Sequence, residues 1–108
     1  MIFKDINDIN KLEDAYEYEK KQIAKKLEEL HDYKHQLRME NERSYDAFLY
    51  LKQKMNYSEE SNKKMLNLME EFDSEVDTYV RRTEREILEY QDELKKAYLR
   101  QSDNLTSR

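Results

Sequence analysis

Apolar residues recur every seven positions through the first half of the chain: Ile9, Tyr16, Ile23, Leu30 and Leu37, then a polar lapse at Ser44, then Leu51. Leu12, Leu27, Phe48 and Met55 stand three or four residues from members of that series and widen it into the stripe of one helix face. The stripe is thinnest between Tyr16 and Ile23, where Glu19 and Lys20 hold the intermediate positions. In the second half the steps alternate between three and four almost throughout, along Met65, Met69, Phe72, Val76, Tyr79, Val80, Thr83, Ile87, Tyr90, Leu94 and Ala97. Two amphipathic helices are predicted.

Local signals bound them. Asp5 is a candidate N-cap with Asp8 at the third helical position, so the first helix is predicted from about residue 6 to 55. Ser58 offers a capping hydroxyl, and Glu59 and Glu60 supply the acidic first turn that complements the positive end of a helix dipole, so a second helix is predicted over about 59–101. Lys95, Lys96 and Arg100 suit its negative end, Ser102, Asp103 and Asn104 read as its exit, and residues 102–108 read as a frayed tail. Between the helices, Asn56 can take left-handed backbone angles at modest cost, as a reversal at 56–58 needs. The predicted fold is therefore all-α, a single domain over 1–108 built as a long antiparallel two-helix hairpin. The competing topology is one continuous helix in a dimeric coiled coil, since nothing between residues 55 and 58 forbids helix.

Composition supports helices and limits what they do. The 108 residues include no Gly and no Pro, and 42% are Asp, Glu, Lys or Arg, where ordinary domains carry about 7% Gly and about 5% Pro. With 37% hydrophobic residues and a mean hydropathy of -1.25, the chain cannot bury much of itself alone and calls for a partner. Nine Tyr and three Phe argue against disorder. A net charge of -5 and a pI near 5.2 argue against nucleic acid, whose binding is driven by Lys and Arg releasing counterions. The acidic stretch between residues 59 and 77 is scattered around its helix, which suits solubility better than DNA mimicry. No apolar run approaches the roughly 18 residues that span a bilayer, so no membrane association is expected. Residues 1–5 show no general secretory signal, so synthesis in the cytoplasm without use of that route is expected.

Not all apolar residues lie on the stripes. A turn of about 100° per residue puts Tyr45, Leu49, Tyr50, Leu66 and Leu68 beside or opposite them, with Tyr57 in the reversal. Together with Phe48 and Phe72 they crowd the turn end with more apolar surface than two helices can cover. Tyr45, Phe48, Leu49, Tyr50, Tyr57, Leu66, Leu68 and Phe72 are thus the candidate partner-binding residues. The same surface leaves room for a homodimer when the chain is alone.

Candidate chemistry is sparse. Glu28 and His31 have the Glu-x-x-His spacing of di-iron bundles, and His31 and His35 lie one turn apart, as zinc-binding pairs can. A di-iron site needs a second such pair, and the second helix contains no His, so both histidines read as solvated helix residues. With no Cys, no Gly-rich phosphate loop and no nucleophile placed near a His, no catalytic residue, metal or cofactor is implied, and no enzymatic activity is expected.

A helical hairpin of about a hundred residues resembles the small WXG-type (ESAT-like) proteins of type VII secretion. The family's Trp-x-Gly turn is replaced here by Met55, Asn56 and Tyr57, and its export motif, Tyr or Phe followed four residues later by Asp or Glu, is missing: Phe72, Tyr79, Tyr90 and Tyr98 are followed at that offset by Val76, Thr83, Leu94 and Ser102. Those departures, with the charged, Tyr-bearing segments 79–90 and 92–98, make the chain resemble the divergent helical partners encoded with LXG toxins in Gram-positive type VIIb systems. That resemblance implies a targeting factor or chaperone for the helical N-terminal LXG domain of a toxin. It also implies a second small helical protein that carries the export motif, with this chain staying in the cytoplasm or leaving with its partner. A reading from another class is a self-assembling structural coiled coil of phage or cytoskeletal type.

Overall fold

A computed structural model describes residues 2–107. It is an all-α helical hairpin, α1 over Ile9–Met55 and α2 over Glu59–Thr106. The reversal between them is built from local chemistry. Asn56 takes a φ of 57°, and the Tyr57 N–H donates to the Lys52 carbonyl at 3.4 Å, the six-to-one bond of a Schellman ending that satisfies an orphan carbonyl. Lys52 and Lys54 sit in the last turn of α1, where cations suit the helix dipole. Ser58 then caps α2, its Oγ accepting from the Ser61 N–H at 3.2 Å, and Glu59 and Glu60 fill the first turn.

The far ends differ from the prediction. α1 starts at Ile9 rather than near residue 6, and its cap is Asp8 rather than Asp5, with Asp8 Oδ1 accepting from the Asn10 N–H at 2.8 Å. The cause is Phe3. Residues 2–5 form a turn, the Ile6 N–H donates to the Phe3 carbonyl at 3.3 Å, and Phe3 is buried to 3% exposure. α2 in turn runs through the predicted exit at 102–104 to Thr106. Leu105 packs half-buried against the core, and buried Gln101 donates to the Ile6 carbonyl at 2.7 Å, so residues 102–106 of the predicted tail are helix, residue 108 lying outside the described residues. Lys95, Lys96 and Arg100 consequently lie more than a turn before the end of α2, whose last turn holds no basic residue.

Two compact units divide the chain: residues 1–29 with 83–108, and residues 30–82. In the first, the terminal unit, Phe3, Leu12, Ile23, Leu94 and Ala97 form a buried cluster, with Ile6, Ile9, Ala15, Tyr16, Leu27, Ile87, Tyr98 and Leu105 packed against it. Leu12 and Leu94 are wholly buried, each worth about 1.5–3 kcal/mol over an exposed side chain. Aromatic rings close one side: Tyr16 stacks on Tyr98 at 4.2 Å and meets Phe3 edge-on at 6.3 Å. Glu19, in the thin interval of the stripe, is half-buried. Tyr90's phenol is pushed up from its ordinary value by partial burial and then by the Glu19 carboxylate.

In the turn unit, residues 30–82, only Leu30, Val76 and Val80 among the hydrophobic residues are buried. Leu51, predicted to continue the seam, is 43% exposed, and Met55 is 63% exposed. A straight helix drifts about 20° per heptad against a seven-residue repeat, so Leu51 has turned about 60° from the direction of Leu30. Asn41 takes an inward place instead, its Nδ2 donating to Asp73 Oδ1 at 3.0 Å and to the Met69 carbonyl at 3.3 Å.

Candidate functional site

The turn unit has two unlike flanks. One is bridged by polar groups from both helices. Asp77 accepts from Arg38 Nη2 at 2.8 Å and pairs with Lys34 Nζ at 3.2 Å, Asn41 holds Asp73, and Lys52 Nζ meets Glu59 at 3.2 Å. The Lys34 ammonium, then Arg38 and Arg81, hold the Asp77 carboxyl below its ordinary value. Near the reversal, Asn62 Oδ1 is buried with no hydrogen-bond partner among the described residues.

The other flank is apolar and open. Tyr33 and Leu37 of α1 face Phe72, Val76 and Tyr79 of α2 across a depression of about 250 Å³, with Glu75 on its wall. Towards the turn a second depression, of about 540 Å³, is lined by Ser44, Ala47, Phe48, Leu51, Tyr57 and Ser61. Tyr33, Leu37, Ser44, Ala47 and Leu51 are separated by steps of four, seven, three and four residues, so both depressions lie along one face of α1. Phe48 and Tyr57 stack at 5.8 Å within the second.

The structure places the eight candidate residues on three faces. Phe48 and Tyr57 line the second depression and Phe72 the first, and helical spacing puts Leu68, 61% exposed, on the same side as Phe72. Tyr45 and Leu49 are half-buried and share the polar-bridged flank with Leu66, again by spacing. Tyr50 stands apart on the outer face, exposed, with the Lys54 ammonium 4.8 Å from its ring centre. Sequence reasoning missed Tyr33 as part of this surface and assigned Leu37 and Tyr79 to the seam. The signal was present in the steps of three, four and seven that link residues 33, 37, 44, 47 and 51.

His31 and His35 are exposed, and among the described residues no group of three or more His, Cys, Asp or Glu could hold a metal ion. No helix is long and apolar enough to cross a membrane. No family model matches the sequence, and no curated protein and no solved structure matches it.

Proposed function

We propose that this chain is a non-enzymatic adaptor that docks the long helices of a partner protein. By the resemblance of its charged second helix to LXG-associated proteins, that partner is the helical N-terminal domain of a type VII-secreted LXG toxin. The adaptor stabilises this domain in the cytoplasm and presents it to the export machinery, together with a second small helical protein that supplies the missing export motif.

The observation that carries the reading is the uncovered apolar flank of the turn unit, open beside a flank whose polar groups are already paired. Surface area points the same way. The chain exposes 8526 Å², about 2,000 Å² more than the roughly 6,500 Å² of a folded monomer of this mass. Two helices give each other one face apiece, and a partner's helices supply the missing layer.

The test is co-expression with a helical LXG domain, followed by purification through a tag on the adaptor. A stoichiometric complex is expected, with the free chain monomeric at low concentration. A chain that forms only homo-oligomers and leaves the toxin domain in the unbound fraction sinks the reading in favour of self-assembly.

A further inference from the structure

The apolar flank has dimensions and charges that describe its occupant. Phe72 and Ser61, one in each depression, are eleven residues apart along α2, about 16 Å at 1.5 Å per residue. Eleven residues are also close to three turns, so a helix lying along this flank would present side chains at that spacing on one face. Both walls are helices with residues in steps of three and four, the ridges into which another helix packs.

Charge selects between a second copy and a different chain. Glu75 lines the first depression and forms no ion pair among the described residues. Glu40, on the same side of α1 by spacing, accepts only from the Gln36 side-chain amide, at 3.4 Å. Of the nearby cations, Lys34 and Arg38 pair with Asp77, Lys52 with Glu59 and Lys64 with Glu60, while Arg82, three residues beyond Tyr79, does not line the depression. Arg43, three residues beyond Glu40, likewise lines neither depression. Tyr33 and Tyr79, 49% and 47% exposed, add ring faces that attract a guanidinium or ammonium group. A second copy would bring the same carboxylates, and a net charge of -5, against this wall.

We propose that this flank takes a single amphipathic helix of the partner, bearing large apolar side chains about eleven residues apart and an Arg or Lys beside the one that enters between Tyr33 and Tyr79. The proposal rests on the docking reading above and names the chemistry of the docked segment.

The test uses the full chain and two designed helical peptides of about 18 residues. They have identical leucine anchors, one carrying Arg and the other Glu at the flanking positions, and binding is followed by backbone amide NMR. The Arg peptide is expected to shift amides around Tyr33, Leu37, Phe72 and Tyr79 and to bind about tenfold more tightly than the Glu peptide, about 1.4 kcal/mol. Glu75→Lys should erase that preference with helicity unchanged, and Leu66→Asp should leave it intact. Absence of binding, equal affinity for the two peptides, shifts centred on Tyr45 and Leu66, or self-association through this flank would each overturn the proposal. Because the peptides replace the toxin, failure of the LXG domain to co-purify removes the identity of the partner without touching this result.

Discussion

The terminal unit and the turn unit are made from the same two helices, yet they use their apolar residues in opposite ways. In the terminal unit Phe3, Leu12, Ile23, Leu94 and Ala97 face one another and are buried. In the turn unit the inward places include Asn41, which holds Asp73, and Asn62, whose Oδ1 has no partner among the described residues. Leu51, Met55, Leu66, Leu68 and Phe72 are meanwhile left exposed. Buried apolar contacts are concentrated in the terminal unit, which itself exposes Ile2, Tyr18, Leu88 and Leu99, and the turn unit leaves more of its apolar residues uncovered. Regions with few buried apolar contacts open first in native proteins, so the turn unit is also the part that a partner would order most.

Mutations should reproduce this division. Leu12→Ala or Leu94→Ala removes a fully buried side chain and should cost about 2–5 kcal/mol by chemical denaturation. Phe72→Ala, at 37% exposure, should cost under about 1 kcal/mol. Similar losses at the two places would break the comparison. The double change Asn41→Leu with Asp73→Leu replaces a hydrogen-bonded polar pair by apolar side chains, which is often neutral or stabilising. A gain of up to about 1 kcal/mol is expected, and a clear loss would mean that the polar pair specifies the register. Asp77→Asn should have a smaller effect that depends on pH. Because the folded carboxyl is held below its ordinary value of 3.8, its contribution is complete above that value and disappears as pH falls through the lower folded one. The variant's deficit in melting temperature should therefore shrink on acidification and with added salt. Tyr50→Ser, on the outer face, should change stability by less than about 0.5 kcal/mol.

What was legible in the sequence follows from the range of the interactions involved. The reversal could be read because Asn56 and Ser58 act on groups within a few residues of themselves, and the helices because their stripes run for many turns. The start of α1 could not, because Asp8 becomes the cap only once Phe3 folds back towards Tyr16, a contact that periodicity does not encode. The seven-residue series likewise pointed to Leu51 as a seam residue, but drift against the true helical period carries it to the open flank, next to Phe48 and Tyr57. Of the candidate docking residues, Phe48, Tyr57, Leu68 and Phe72 gather on one side, while Tyr45, Leu49 and Leu66 fall beside the ion pairs. Choosing between flanks required knowing which carboxylates are paired across the helices, and that is set by tertiary geometry.

Hydrogen exchange, measured on the free chain and on the chain bound to the proposed helical partner, tests the division most directly. The free chain should show its strongest protection around Leu12, Ile23 and Leu94 and weaker protection between residues 33 and 79, and the complex should add protection chiefly in that second region. Equal protection of both units in the free chain, or a complex that protects only the terminal unit, would contradict the assignment of the turn unit as the docking surface.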